Sequence, residues 1–240
     1  MAQIMFKSPT HTLLASYLKV NTRKKMVIVD YGCGEGELLE YLDRAKIELY
    51  LGFEVNSACI PISKKKWGKN KKIHFSEINR KKLPSLGEKG EVDAIFLIGV
   101  VQYLPKKDLA HVLSEAKRVL KPKGQLLISC TGDHILYSWF NIYRLFLPHF
   151  SVNRNSLLTQ IRKAGLRIDT QFERGIVIAP LFSNVIVFFF DALDKIFYKT
   201  KGELGPIGRK VRQFFSSLIQ TEFSIRIDYG YTLFVVASPQ

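Results

Sequence analysis

Short apolar runs alternate with segments of helical periodicity along this 240-residue chain, and the alternation predicts its fold. Runs typical of buried strands occupy residues 27–29, 49–53 and 229–237, and further strands are expected within residues 92–105 and over residues 167–172. Residues 107–120 place apolar side chains on one helical face, and Pro122 and Gly124 then turn the chain into another strand. Buried strands that alternate with amphipathic helices indicate a doubly wound, mostly parallel α/β sheet, with its ligand at the carboxyl ends of the strands.

The first strand leads into a loop in which every second residue is glycine. Asp30 ends the strand, and a helix is expected to begin near Glu35, within the turn formed by Gly32, Gly34 and Gly36. Glycine allows sharp turns and lets a ligand approach the main chain. A dinucleotide-binding loop would have glycine where this chain has Glu37, and it would bind pyrophosphate at the helix N-terminus. Carboxylates there repel pyrophosphate, so the loop favours a neutral or cationic ligand.

An acidic residue follows the second strand at a spacing typical of nucleoside-binding proteins. The apolar run 49–53 ends at Glu54, about 20 residues beyond the glycine loop. A carboxylate has two oxygens that can accept hydrogen bonds from both ribose hydroxyls. A solvated glutamate at a strand end is the simpler alternative, but the glycine loop upstream favours ribose binding.

The pattern from Asp30 to Gly36 resembles motif I of the class I S-adenosylmethionine-dependent methyltransferases. Other segments resemble the same family, namely residues 73–84 (third strand and adenine loop), 92–105 (fourth strand and its loop) and 107–129, which contain VLKPKGQLLIS. The resemblance covers residues 26–129 well and 150–172 loosely. It implies a seven-stranded Rossmann-like sheet, with an apolar helical insertion before a last strand that lies antiparallel beside the fifth.

The resemblance also implies S-adenosylmethionine as the cofactor and assigns its contacts. Asp30 would orient the methionine ammonium, Glu54 would bind the ribose, and Gly99 would leave room beside the sulfonium. Asn79 stands where the family usually has the aspartate that meets the adenine, and its side-chain oxygen can accept the same hydrogen bond. Glu77 is an alternative for that contact. Further cofactor contacts are expected from Tyr31, Gly32, Cys33, Gly34, Val55 and Ile78.

The resemblance defines the acceptor side of the site less closely. Many relatives carry a Glu-His or His-His pair where this chain has Gln102 and Tyr103, so no catalytic residue is assigned. Gln102, Tyr103 and His149 are the expected substrate-binding residues. His149 is the best-placed titrating group, and a structural role at the start of a helix is its alternative.

Charge and cysteine content add information about partners and compartment. The net charge is +15, and basic residues concentrate in residues 64–72 and 80–82. Such clusters attract nucleic acid or an anionic membrane surface, and a solvated face without a partner is equally compatible. The three isolated cysteines favour a reducing cytoplasm and argue against a metal site. The sequence lacks the motifs of base-modifying methyltransferases, so nucleic acid is the less favoured substrate.

The second half of the chain contains apolar segments that do not fit the sheet. Residues 131–150 are rich in aromatic side chains, and residues 176–190 are apolar on nearly every helical face. The latter run is shorter than the roughly 20 residues of a membrane-spanning helix, so a substrate lid, an interfacial membrane helix and a dimer face stay open. Residues 131–150 and 176–222 are treated as helical insertions, and residues 1–25 as an N-terminal lid, of one domain over residues 1–240.

The sequence therefore predicts a cytoplasmic S-adenosylmethionine-dependent methyltransferase acting on a hydrophobic or lipid-linked small molecule, similar to the quinone-biosynthesis branch of the family. Peripheral contact with the inner face of an anionic membrane is also expected. The alternatives are a non-catalytic methyltransferase-fold subunit at a membrane and, less favoured, an RNA methyltransferase. The acceptor atom, the use of a general base and the oligomeric state are left open.

Overall fold

One seven-stranded sheet forms the centre of the fold. A computed structural model of the chain describes residues 8–19, 24–78, 85–132, 152–181, 186, 189–190, 193, 206–225 and 230–240. The strands are β1 (Met26–Tyr31), β2 (Ile47–Glu54), β3 (Ile73–Glu77), β4 (Val92–Ile98), β5 (Leu120–Thr131), β6 (Leu166–Arg174) and β7 (Thr232–Pro239). Their order is β3–β2–β1–β4–β5–β7–β6. All pairs from β3 to β5 are parallel, and β7 runs antiparallel to both β5 and β6. The predicted sheet and the position of its last strand are confirmed.

Helices cover both faces of the sheet. They are α1 (Pro9–Tyr17), α2 (Cys59–Trp67), α3 (Lys106–Val119), α4 (Arg154–Lys163), α5 (Ile178–Leu181) and α6 (Pro206–Ser224). Helices α3 and α4 share one hydrophobic core with Val29 and Leu97, whereas α1, α5 and α6 share another with Ile28 and Phe96. Because successive strand residues point to opposite faces, the continuous apolar runs in the sequence supply both cores.

The boundaries of α3 and α4 follow from their sequences. In α3 the buried side chains recur every three or four residues, at Leu109, Val112, Leu113, Ala116 and Val119. Helix α4 begins after Asn153, whose side-chain oxygen accepts a hydrogen bond from the Ser156 N–H at 3.0 Å. It ends before Gly165, which has a φ of 77°, and a left-handed glycine commonly follows the end of a helix.

The prediction that a helix begins near Glu35, after β1, is wrong. The chain instead forms a short 3-10 helix over Glu37–Glu40, and the Leu39 N–H bonds the Gly36 carbonyl three residues earlier, at 3.2 Å. Gly36 has a φ of 80°, and a Cβ there would lie 2.8 Å from the ring of Trp67. The left-handed glycine and the indole packed against it leave no room for a regular helix to start at this point.

A carboxylate on α6 holds the start of α5. Glu222 is 8 % exposed, and its oxygens accept the backbone N–H groups of Val177 at 2.6 Å, Ile178 at 2.9 Å and Ala179 at 2.8 Å. The first N–H groups of a helix have no partner within the helix, so this side chain replaces a local cap. It fixes α5 against α6 inside the predicted insertion 176–222.

Parts of the predicted insertions and lid lie outside the described residues. These parts are residues 1–7, 20–23, 133–151 and most of 182–205. In the predicted lid, residues 1–25, the described structure is chiefly α1. Across the portion of the chain that is described, none of the helices combines the length and the apolar character needed to cross a bilayer.

Candidate functional site

The glycine loop and the end of β2 meet at the carboxyl edge of the sheet. Gly32 and Cys33 donate their N–H groups to the Phe53 carbonyl at 2.7 and 3.0 Å, and the Gly34 N–H donates to Glu54 Oε2 at 2.8 Å. Because these N–H groups bond within the protein, the loop can offer a ligand its carbonyl oxygens and bare Cα atoms. Phosphate binding uses N–H donors, whereas carbonyl oxygens attract cations. The geometry therefore agrees with a cationic ligand.

Gly34 provides the open backbone that close approach of a ligand requires. Its φ is 52°, and a Cβ placed there would meet no described heavy atom within 4 Å. Gly32, with a φ of 82°, is constrained differently, because a Cβ there would overlap the side chain of Val100 in the loop after β4. Glycine is thus needed at position 32 for packing, and at position 34 it leaves space beside the main chain.

Glu54 is held in place with capacity to bind a ligand. It is 9 % exposed, and Oε1 accepts the N–H groups of Val55 and Asn56, both at 2.8 Å, while Oε2 accepts that of Gly34. A carboxylate has about four acceptor positions, so Oε2 can accept one more hydrogen bond. The fixed carboxylate at the tip of β2 fits a ribose hydroxyl.

Asp30 makes this edge of the sheet acidic. It is 2 % exposed, and Oδ2 accepts a hydrogen bond from the Tyr50 hydroxyl at 2.5 Å. Burial raises the pKa of Asp30 from 3.8 to about 7; the Tyr50 hydrogen bond opposes the rise, and the charges of Glu54 and Glu37 add to it. A cation bound here would favour the ionised carboxylate, because opposite charges lower the pKa of an acid. The site is locally negative in a chain of net charge +15.

The other predicted cofactor residues differ in exposure. The side chains of Tyr31, Cys33 and Ile78 are buried in the two cores, at 2 %, 6 % and 6 % exposure, so a ligand would meet chiefly their main chain. Val55 is 39 % exposed at the end of β2. Asn79 lies outside the described residues. The adenine contact therefore stays a prediction.

A cavity of about 330 Å³ opens beside Gly99, at the carboxyl ends of β4 and β5. Gly99 has a φ of 66°, and the nearest atom to a Cβ there would be Gln102 Nε2, at 3.8 Å. The start of α1, the start of β7 and both α5 and α6 complete the wall. Its apolar side is formed by Ile98, Ala179, Ile219, Phe223 and Tyr231.

The structure brings one predicted substrate residue into this cavity. Gln102 lines it and is 6 % exposed, whereas Tyr103 is 45 % exposed and is not part of the lining. His149 lies outside the described residues. Ser129 and His11 also line the cavity, and sequence reasoning missed both. The position of Ser129 near the carboxyl end of β5 was a usable signal.

The two halves of the site have complementary chemistry. An acidic, N–H-poor edge lies beside a partly open and largely apolar cavity, so a cation can be held next to an apolar acceptor. The described residues include no group of three or more His, Cys, Asp or Glu that could hold a metal ion. His11 is a titratable group in the wall; its Nδ1 lies 2.9 Å from Ser8 Oγ, and its ring stacks on that of Tyr41.

Comparison with known proteins identifies a domain within the chain. A sequence model described as a methyltransferase domain matches residues 28–124. This range includes the glycine loop, Glu54, Gly99 and Gln102. No curated protein sequence matches the chain.

Solved structures share the fold over nearly the whole chain. A Haloferax volcanii complex between the Trm112 methyltransferase activator and a methyltransferase contains a chain that is 16 % identical over 97 % of this chain and 90 % of that one, with a TM-score of 0.63. The geranyl diphosphate C-methyltransferase of Streptomyces coelicolor, solved with S-adenosyl-L-homocysteine, is 15 % identical over 95 % and 80 %, with a TM-score of 0.58. A TehB-like SAM-dependent methyltransferase of Corynebacterium glutamicum is 15 % identical over 96 % and 88 %, at 0.57. Identities this low establish likeness of fold.

Proposed function

We propose that the chain is a class I S-adenosylmethionine-dependent methyltransferase and that its acceptor is a hydrophobic or lipid-linked small molecule. The observation that carries the proposal is the apolar cavity beside Gly99. Four buried side chains form one wall of this cavity, with exposures between 2 % and 8 %: Ala179, Ile219, Phe223 and Tyr231. A similar structure belongs to an enzyme named for geranyl diphosphate, which has an apolar chain.

The residues of the chain would act by binding and alignment. When bound, S-adenosylmethionine supplies an already activated methyl group on a sulfonium. Glu54 would hold the ribose, ionised Asp30 would face the ammonium, and Gly34 would let the methionine part lie against the main chain. Alignment of two reactants alone can supply about 7–11 kcal/mol of the activation barrier, so the geometry needs no assigned base to be productive.

Helix α1 would act as a lid over the site. Residues 8–11 line the cavity, and the Ser8 N–H donates to the Tyr41 hydroxyl at 2.5 Å. The side chain of Leu14, on the inner face of α1, is fully buried. These contacts close the cavity on the side away from α3, and α5 and α6 from the insertion 176–222 would form the remaining wall.

Calorimetric titration with S-adenosylmethionine tests the cofactor half of this proposal. Wild-type protein should bind it, and Glu54→Ala should weaken binding by at least roughly tenfold, since a charge-assisted hydrogen bond is lost. Glu54→Gln tests the same contact with little change in size. The control is Glu48→Ala, an exposed position on the same strand. Absence of binding at millimolar cofactor would contradict the proposal and favour the non-catalytic alternative.

The acceptor half is tested with a methyl-labelled cofactor. The protein is incubated with an apolar extract of its own expression host and, separately, with the aqueous fraction and total RNA. Label should enter the apolar fraction. Label found only in RNA or in the aqueous fraction would contradict a hydrophobic acceptor.

We also propose that the protein works at a membrane surface. Large apolar side chains are exposed just before and on α5, on α6 and between the two helices: Val177 (62 %), Leu181 (46 %), Phe189 (57 %), Phe214 (69 %) and Leu218 (42 %). All belong to the insertion predicted as lid, membrane contact or dimer face. Exposed apolar side chains on a strongly basic protein suit an anionic bilayer surface, where both contribute to binding.

A further inference from the structure

Two buried polar atoms in the cavity wall have no hydrogen-bond partner among the described residues. They are Gln102 Oε1 and Ser129 Oγ, on side chains that are 6 % and 1 % exposed. Folded proteins pair nearly all of their buried polar side-chain atoms. Two unpaired atoms in the wall of one cavity therefore indicate that a group outside the described residues pairs with them.

The two side chains flank the same point of the structure. Ser129 is the β5 neighbour of Ile98 in β4, and its carbonyl accepts the Gly99 N–H at 2.9 Å. The amide nitrogen of Gln102 lies 3.8 Å from where a Cβ of Gly99 would be. Gly99 is the residue expected beside the sulfonium, so both unpaired atoms lie near the end of the cavity where a methyl group would be delivered.

We propose that Gln102 and Ser129 bind a hydroxyl or amino group of an amphipathic acceptor. This inference rests on the proposed function and specifies the acceptor further. An amide oxygen only accepts hydrogen bonds, whereas a serine hydroxyl donates and accepts. One ligand hydroxyl can therefore donate to Gln102 Oε1 and accept from Ser129 Oγ, which pairs both atoms. The apolar body of the same ligand would lie against Ile219 and Phe223.

The arrangement selects against ligands without a donor. A hydrocarbon or an ether of the same shape fills the apolar part of the cavity but leaves Gln102 Oε1 unpaired. Sites built to hydrogen-bond a ligand reject analogues that lack the group more strongly than apolar pockets reject a change in size. The expected class is thus an alcohol, a phenol or an amine with an apolar body.

Two probes that differ in one donor test the inference. The phenol para-butylphenol and its methyl ether, para-butylanisole, have the same apolar body, and only the phenol has an O–H group. By calorimetry, the full chain should bind the phenol roughly tenfold more tightly than the ether. Gln102→Leu and Ser129→Ala should each reduce this preference, and the double variant should show a ratio of about one.

A second buried glutamine provides the control. Gln125 is 2 % exposed, and both ends of its amide are paired: Oε1 accepts the Lys19 N–H at 2.6 Å, and Nε2 donates to the Tyr17 carbonyl at 3.3 Å. Gln125→Leu should keep the wild-type preference for the phenol. It should also lose more thermal stability than Gln102→Leu, because it removes hydrogen bonds at both ends of the amide, whereas Gln102 is hydrogen-bonded to Tyr103 and its Oε1 is unpaired.

Clear results would overturn the inference. Equal affinities of the wild type for the two probes, no binding of either, or full preference in the double variant would each do so, and the first would indicate that water pairs the two atoms. Titration with S-adenosylmethionine distinguishes a failure of the acceptor assignment from a failure of the proposed function. Lost cofactor binding contradicts the proposed function, whereas intact cofactor binding without a probe preference contradicts only the acceptor assignment.

Discussion

At the scale of single residues, Gly34 and Gly90 form a matched pair for testing the cofactor loop. Both have positive φ, 52° and 71°, and a Cβ at either would meet no described atom within 4 Å. Replacing either by alanine should lower the free energy of unfolding by about 1–2 kcal/mol, because left-handed backbone disfavours a Cβ. Only Gly34→Ala should weaken binding of S-adenosylmethionine in a titration, by at least roughly tenfold, because its methyl group fills the space of the ligand.

Gly90 lies in the turn before β4, away from the carboxyl edge of the sheet. Its alanine variant therefore reproduces the backbone strain without touching the site. Equal cofactor affinities of the two variants would mean that the main chain at position 34 is not approached by the ligand.

The buried carboxyl group of Asp30 gives a pH dependence with a defined sign. Its pKa is 3.8 when solvated and about 7 in the fold, raised by burial. Between these values the unfolded chain has lost the proton that the folded protein keeps, so stability falls as pH rises from about 4 to 7 and levels off above. Relative to Asp30→Asn, urea unfolding of the wild type should lose on the order of 2 kcal/mol between pH 5 and pH 7.

The asparagine variant keeps an oxygen that can accept the Tyr50 hydroxyl, so packing is little changed. A stability difference between the two proteins that is constant across this pH range would show that Asp30 is ionised throughout.

Single residues of the site were predictable where they follow a strand in the sequence. Glu54 and the glycines are such residues, and the structure brings them together through the Gly34–Glu54 hydrogen bond. His11 was missed because it belongs to no local pattern and reaches the cavity only through the packing of α1 against β5 and α6. Ser129 was missed although it lies near the carboxyl end of β5, where residues that contact ligands are expected.

At the scale of elements, Glu222 tests how α5 is held. Glu222→Ala leaves three backbone N–H groups without their acceptor, so the free energy of unfolding should fall by about 2–3 kcal/mol. The exposed neighbour Gln220 on the same helix is the control, and Gln220→Ala should change stability by less than about 0.5 kcal/mol. The measurement is urea unfolding of both variants. Similar stabilities would show that the α5 contacts contribute little to the fold.

Helices whose apolar residues recur with a clear period were predictable from the sequence. Elements whose geometry depends on contacts between distant residues were not. The spacing of apolar residues located α3. The turn after β1 was mistaken for a helix because its geometry depends on the indole of Trp67, which approaches from α2. The capping of α5 by Glu222 joins residues more than forty positions apart in the chain, beyond any local signal.

At the scale of the whole molecule, net charge and exposed apolar residues predict binding to anionic vesicles. In flotation at low salt, the protein should associate with vesicles containing phosphatidylserine and not with neutral ones. Raising the salt should weaken association, because screening shortens the range of the charge. The double variant Phe214→Ser and Leu218→Ser should bind less, while Gln220→Ser serves as the matched control. Salt-independent absence of binding would exclude the membrane proposal.

The sequence predicted the architecture of the first half of the chain more completely than that of the second half. The parallel strands β1, β2, β4 and β5 follow from apolar runs separated by helices, β3 follows from the family resemblance, and the structure confirms all five. The place of β7 beside β5 came from the same resemblance, because an apolar strand near the end of the sequence pairs equally well at either edge of a sheet. The insertion 176–222 was recognised as apolar, but its two described helices are positioned by tertiary contacts.

The position of β7 has a consequence for how the protein is made. β6 adjoins only β7 in the sheet, and β5 pairs with the same late strand, Leu126 with Ala237. A ribosome must therefore add residues 175–231 before either strand gains this neighbour. During that interval β5 has an open edge in the nascent chain and β6 has no neighbouring strand. Chaperone occupancy of translating ribosomes should be highest in this window and should fall once β7 has emerged.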